Sequence, residues 1–415
     1  MRIVFLVTRA DEPGGLAHAV RTRAGHLAAR HDVEVVSVFR TRDRPPPGLD
    51  DRVRLRHLVD RTGPVPVPLR PTALTDRARQ QLAAVPSALV DPDLDPDFDA
   101  LADTELALAL RTLDADVLVT ASPALPGAAA DHAPAGVVRI HEEHGAGEGA
   151  PPARVGECDA VVVRTEGARR RLAAALGAAA RDAAAGTAAG TAAGAGAGTA
   201  APRLAAIPYP APDGFRPRSS RTTRTAVLAG PLTRADQAIA AFAAAAPDGS
   251  GWRLRIFGDG PELPRLRRRV AELGLYERVE LLGPSPSMAA EWAKAGFAVL
   301  PQGSAEVLEA YAAGVPAVAH DDAGGAADVV RDGVDGLLVP PDDVAALAGA
   351  MARLMAPDAE LLHRLGTGAL AGTGRFAADG VTRRWEALCA ELAAVPVAVR
   401  AGRASRHRGG GPGDG

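Results

Sequence analysis

Arg2-Ile3-Val4-Phe5-Leu6-Val7, then Pro13-Gly14-Gly15, then Val33-Glu34-Val35-Val36-Ser37-Val38: these three pieces decide the fold. The first is a continuous apolar run, the signature of a strand covered on both faces. The glycine-containing break leads into a helical pattern through Leu27, and the third piece is a second buried strand after His31-Asp32. Strand, glycine loop, helix and strand make a βαβ unit, which implies a parallel sheet with a right-handed crossover.

Working outward, the alternation continues with a helix over Leu101–Leu113 and strands at Asp116–Thr120, Gly136–Ile140 and Asp159–Val163 before a helix over Glu166–Leu176. Residues 41–100, rich in Pro, Asp and Arg, read as a surface excursion with one helix near Thr75–Leu89. Residues 177–202 are almost only Ala, Gly and Thr and read as a flexible insertion. A second alternating series runs through Thr225–Ala229, Arg234–Ala246, Trp252–Phe257, Pro261–Leu273, Val279–Leu282, Gly296–Leu300, Ala305–Ala313 and Pro316–Ala319, with a turn at Gly333–Gly336 before Leu337–Val339. Helices follow at Asp343–Met355 and Val381–Leu392.

The fold class is therefore α/β, with a Rossmann-like domain over 1–207, a linker over 208–224, and a second Rossmann-like domain over 225–378. A C-terminal helix occupies 379–400, and a glycine-ended tail over 401–415 reads as disordered. A length of 415 residues fits two domains of about 150–200 residues. The carboxyl ends of both sheets are expected to face a shared cleft, the place where doubly wound sheets take their ligands.

Composition narrows the function by exclusion. Lys and Arg total 47 against 50 Asp and Glu, a net charge of −3, so no positive field draws nucleic acid. No run reaches the roughly 18 apolar residues of a membrane-spanning helix. The first strand is too short and wrongly flanked for a signal peptide, which favours a cytoplasmic protein. Cys158 and Cys389 lie far apart and lack metal-ligand spacing, so two core thiols are expected. Aromatic residues make up only 3%, and Lys294 stands alone among the arginines; a GC-rich bacterial genome accounts for that bias.

Four pieces in order carry a family resemblance: Gly258-Asp259-Gly260-Pro261-Glu262-Leu263; Val279-Glu280-Leu281-Leu282-Gly283; Leu308-Glu309-Ala310 with Ala313-Gly314-Val315-Pro316; and Gly324-Gly325 with Asp328. Together they resemble family 4 of the retaining, nucleotide-sugar-dependent glycosyltransferases, over most of residues 225–395. In the first half, Gly14-Gly15, Cys158–Val163 with Thr165-Glu166, and Ile207-Pro208-Tyr209-Pro210 are similar to that family's glycine loop, last strand and linker.

The resemblance implies the two-domain GT-B architecture, with the C-terminal helix, which contains Trp385, crossing back onto the first domain. It implies transfer of a sugar from a nucleotide sugar to an acceptor with retention of configuration, with no metal and no other cofactor. Glu309 is expected to hold the ribose hydroxyls by charge-assisted hydrogen bonds. Gly14, Gly15, Gly258, Gly260, Gly324 and Gly325 would let backbone approach the donor, because a leaving diphosphate must be met by N–H groups, helix N-termini or cations. His141, just after its strand, and Glu306 are the candidates nearest the reacting sugar. The His141-Glu142-Glu143-His144 run lacks the spacing of a metal site.

The chain departs from the family where the donor's charge is met. The family's Gly-Arg-Leu reads Gly230-Pro231-Leu232 here, and Asp236 stands where a lysine is customary, leaving Arg234 as the nearby cation. The family's pair of glutamates is reduced to Glu309, because the position eight residues before it is Pro301 and the segment is about four residues short. These departures motivate an alternative: a catalytically degenerate subunit that binds beside an active glycosyltransferase. In either reading the acceptor is unidentified, whether small molecule, glycan or lipid-linked. Residues 41–100 are the place for acceptor contact and for any peripheral contact with a membrane.

Overall fold

The computed structural model describes all residues except 13–14, 45–47, 145–151, 153, 189–200, 213–214, 216–217, 302–304, 322–324 and 398–415. Two compact units emerge. One comprises Met1–Arg164, Arg169–Ile207 and the chain from Thr382 onward; the other comprises Thr165–Ala168 and Pro208–Val381.

In chain order, the first unit contains strands β1 (Arg2–Arg9), β2 (Asp32–Arg40), β3 (Arg54–Asp60), β4 (Val67–Pro68), β5 (Val117–Thr120), β6 (Val138–Glu142), β7 (Ala160–Val163) and β8 (Arg203–Ala206). Its helices are α1 (Gly15–Leu27), α2 (Asp76–Ala83), α3 (Ala100–Arg111), α4 (Pro126–His132) and most of α5 (Glu166–Ala188). The sheet order is β4-β3-β2-β1-β5-β6-β7-β8, parallel throughout except for the β3–β4 pair. β1 sits centrally, and Ile3 to Val7 are buried, as a strand covered on both faces requires. One side of this sheet packs Val4, Leu6, Val36 and Leu118 against Leu101, Leu106 and Leu110 of α3, and Phe39 meets Phe98 edge to face at 4.9 Å.

The second unit contains β9 (Thr225–Ala229), β10 (Arg253–Phe257), β11 (Val279–Leu281), β12 (Phe297–Leu300), β13 (Ala317–His320) and β14 (Gly336–Val339). Helices α6 (Ala235–Ala245), α7 (Leu263–Glu272), α8 (Met288–Trp292) and α9 (Ala305–Ala312) alternate with the strands from β9 to β13, and α10 (Val344–Leu354) and α11 (Glu360–Gly372) follow β14. The order β11-β10-β9-β12-β13-β14 is wholly parallel, so every carboxyl end lies on one edge. The order reverses next to β9, which makes the β9–β12 edge the switch point. Asp335, fully buried, ties β14's approach together by accepting from Tyr311 Oη at 2.8 Å, Arg331 N at 2.6 Å and Arg375 Nη2 at 3.0 Å.

The last helix, α12 (Ala378–Ala393), starts in the second unit and belongs to the first from Thr382 on. There Trp385 is fully buried, with the Arg23 guanidinium 4.5 Å over its ring. Glu386 accepts from Arg30 at 2.9 Å and lies 3.1 Å from His31 Nε2.

Three expectations need correction. Residues 41–100 are not only a surface excursion: β3 lies in register with β2 and buries Leu58 and Val59. Its polar alternation hid it, because Arg54 and Arg56 face carboxylates of the neighbouring strand, Asp32 and Glu34. The insertion expected over 177–202 begins as helix, since α5 continues to Ala188; alanine is the best helix former and needs no buried face to propagate an existing helix. Its remainder over 189–200 and the tail over 401–415 lie outside the described residues. β8 follows directly, pairing with β7 and completing the first sheet. Finally, His141 does not follow its strand but lies within β6.

Candidate functional site

On the second unit's carboxyl edge lie the turns after β9 and β10. Gly230 follows β9 with a left-handed φ of +106°. A Cβ on Gly230 would come 2.8 Å from Glu306 Oε1, so the glutamate in the first turn of α9 lies directly over this turn. Gly258, after β10, has no room either: a Cβ there would stand 2.5 Å from the Gly230 carbonyl oxygen. The two glycines thus bring the β9 and β10 turns into backbone contact. Gly260 and Gly15 differ, because a Cβ at either would meet nothing within 4 Å. Gly15 is the first residue of α1, and Gly325 precedes a short 3-10 turn over Ala326–Asp328. Gly14 and Gly324 lie outside the described residues.

Glu309, in the second turn of α9, is mostly buried, and Oε2 accepts a hydrogen bond from the Trp292 indole Nε1 at 3.1 Å. Its other oxygen makes no hydrogen bond among the described residues. Burial raises the carboxyl from the ordinary range to about 7; the Trp292 hydrogen bond lowers it, and the charge of Glu306 one turn away adds to the rise. Sequence reading named the glutamate but not the tryptophan it meets, because α8 and α9 come together only in the folded chain.

Arg234 caps α6 by position and places Nη1 3.3 Å from Nδ1 of His320, the fully buried last residue of β13. The strand expected to end at Ala319 therefore runs one residue further and delivers an imidazole to this edge. Arg234 also helps hold the exposed Asp342 carboxyl low, after the hydrogen bond Asp342 receives from Gln237 at 2.8 Å. Asp236, in the first turn of α6, is paired with Arg265 of α7 at 3.0 Å, and Arg265 also binds Glu262 at 2.6 Å. The negative charge at the customary lysine position is thus met by a cation from the next helix, but two carboxylates share that guanidinium.

In the first unit, His141 is buried, with Nδ1 3.0 Å from Thr120 Oγ1 and Nε2 3.6 Å from the Glu143 carboxylate. Beside it, Glu142 forms a buried pair with Arg23 at 2.7 Å, and His144 lies 3.7 Å from Glu142. Burial lowers His144 to about 4, so this imidazole is neutral. No group of three or more His, Cys, Asp or Glu side chains arranged for a metal occurs among the described residues. Cys158 and Cys389 are buried, and burial pushes both thiols up to about 12.

Residues 223–357 match the family model described as "Glycosyl transferases group 1". An Anabaena HepE structure in complex with UDP and glucose superposes with a TM-score of 0.64 over 94% of this chain and 100% of that one, at 15% identity. Over residues 223–357 the chain is similar to the group 1 glycosyltransferases. Its two Rossmann-like units and final helix are those of the GT-B fold. Among curated relatives of this chain, an exopolysaccharide phosphotransferase of Streptomyces coelicolor is 48% identical over 406 residues, 94% of this chain but 41% of the relative. A D-inositol 3-phosphate glycosyltransferase of Nocardia farcinica is 32% identical over 190 residues, 42% of each protein. The chain spans less than half the length of the curated relatives it matches. No helix among the described residues is long and apolar enough to cross a membrane.

Proposed function

We propose that this chain transfers a sugar from a nucleoside-diphosphate sugar to an acceptor hydroxyl with retention of configuration. The observation that carries this reading is Glu309, a mostly buried carboxylate at the switch-point edge with one oxygen anchored and the other without a hydrogen bond among the described residues. A group so placed can accept from ribose hydroxyls. Arg234 and the N-terminus of α6 supply positive charge for the diphosphate. Gly258, Gly260 and Gly325 are proposed backbone contacts of the donor, with Gly14, Gly15 and Gly324 in the same role. His141 and Glu306 are the proposed residues nearest the sugar.

In the reaction, the bond from the anomeric carbon to the diphosphate oxygen breaks and a bond to the acceptor oxygen forms on the same face. The acceptor's proton passes to the departing diphosphate. No metal enters this scheme. The protein would work in the cytoplasm, with residues 41–100 meeting the acceptor and, for a lipid-linked acceptor, the membrane surface.

Incubation of the purified chain with UDP- and GDP-sugars should release nucleotide, and Glu309→Ala should abolish release. Wild-type protein that neither binds nor turns over any such sugar overturns the proposal. The second reading, a binding subunit beside an active glycosyltransferase, is favoured by Pro231 and by the two carboxylates, Asp236 and Glu262, sharing Arg265. It predicts nucleotide binding without turnover, and turnover by wild type that Glu309→Ala removes would exclude it.

A further inference from the structure

We propose that Trp292 is a positioning residue for Glu309: its indole N–H pins one carboxylate oxygen so that the other is presented to the ligand at the carboxyl edge. The inference rests on the donor-binding reading of that edge and adds a residue to it.

Trp292 ends α8, a short helix started by the Ser287 side chain, which accepts from Ala290 N. The side chain is fully buried, and a buried indole N–H needs an acceptor inside the protein. The acceptor it has is Oε2 of Glu309, at 3.1 Å. A glutamate has three side-chain torsions, so a single fixed contact at its end selects one arrangement from many. Without that contact, nothing else among the described residues hydrogen-bonds the carboxylate.

The surroundings make the indole matter electrically as well. On its own helix Glu309 faces Glu306, a like charge. From α8, Glu291 is occupied by Arg255 and by Lys294 at 3.2 Å. From α11's side, Asp335 is engaged by Tyr311, Arg331 and Arg375. β12 and β13 contribute Ala298, Leu300, Ala317 and Ala319, which are uncharged, and His320, which is engaged near Arg234. The Trp292 N–H is therefore the group that favours the ionised, accepting form of Glu309. Removing it leaves a carboxyl that keeps its proton to higher pH and loses its fixed direction.

The test uses the whole chain without ligand first. The carboxyl carbon of Glu309, assigned by its loss in Glu309→Gln, is titrated by NMR in wild type and Trp292→Phe. The midpoint should rise by about one pH unit in the variant. In wild type, the Trp292 indole N–H resonance should follow the same midpoint, and that dependence should vanish in Glu309→Gln; this arm needs no tryptophan variant to fold. Equilibrium binding of UDP and GDP is then measured from pH 5.5 to 8.5. The nucleotide that wild type binds should bind Trp292→Phe about tenfold more weakly near neutrality, with the gap narrowing as pH rises. An indole resonance indifferent to Glu309's titration, an unmoved midpoint in folded Trp292→Phe, or an affinity loss equal at every pH overturns the positioning role. Failure of wild type to bind either nucleotide overturns the donor reading instead, while the two NMR titrations still decide whether Trp292 holds Glu309.

Discussion

Glu309 is the carboxyl on which the proposed donor reading of the second unit rests. Its pKa, about 7 in the fold, lies above the ordinary glutamate value, so between those limits the folded chain binds a proton that the unfolded chain does not. Stability from this group is thus full at low pH and falls as pH rises through about 7. Glu309→Gln should remove that slope and stabilise the protein at pH 8 by on the order of 3 kcal/mol, with no difference below the ordinary glutamate range; urea unfolding at the two pH values measures it. The neighbouring charges give a second prediction. Asp236→Lys restores a cation at the start of α6 and releases Arg265 from one of its two carboxylates, so UDP or GDP should bind about tenfold more tightly, whereas Arg234→Ala should weaken binding similarly; calorimetric titration reads both. The spacing from Glu309 back to Pro301 and the Pro231 and Asp236 substitutions are all visible in sequence. What sequence does not carry is who meets them: Arg265 lies 29 positions from Asp236, and Trp292 lies 17 from Glu309.

At the scale of elements, the strands that could be read were those covered on both faces. Ile3–Val7 of β1 and all of β12 are unbroken apolar runs, whereas β3, RLRHLVD, alternates because it lies toward the edge and keeps Arg54 and Arg56 exposed to pair with β2. β8, RLAA, closes the opposite edge and is only partly buried, too short and small to announce itself after an Ala-rich segment. The short helix α8 escaped for the same reason, and with it the partner of Glu309. The turns after strands are more demanding than their sequence suggests. Gly258→Ala would push a methyl into the Gly230 carbonyl, an immovable backbone atom, and should cost about 2 kcal/mol or more while separating the β9 and β10 turns. Gly260→Ala meets no atom, so its cost is that of a strained φ of +142° alone. Thermal melts of the two variants, with UDP and GDP binding, separate the steric effect from any contact with ligand.

Across the whole molecule, the division into two Rossmann-like halves follows from the repeated alternation of strand and helix, and the last helix returning to the first half follows only from the family resemblance. The contact that anchors it is a buried tryptophan over a buried, paired arginine. Trp385→Ala should destabilise the first unit by about 3–5 kcal/mol and leave the second largely unaffected, which hydrogen exchange resolved by segment would show. The order of synthesis gives this anchor a further meaning. Arg23 and Glu142 leave the ribosome before the ring that covers Arg23, which is made only after the entire second unit. Until then a charged pair meant for a dry interior stays wet, and the first half waits, unfinished, for α12 to close it.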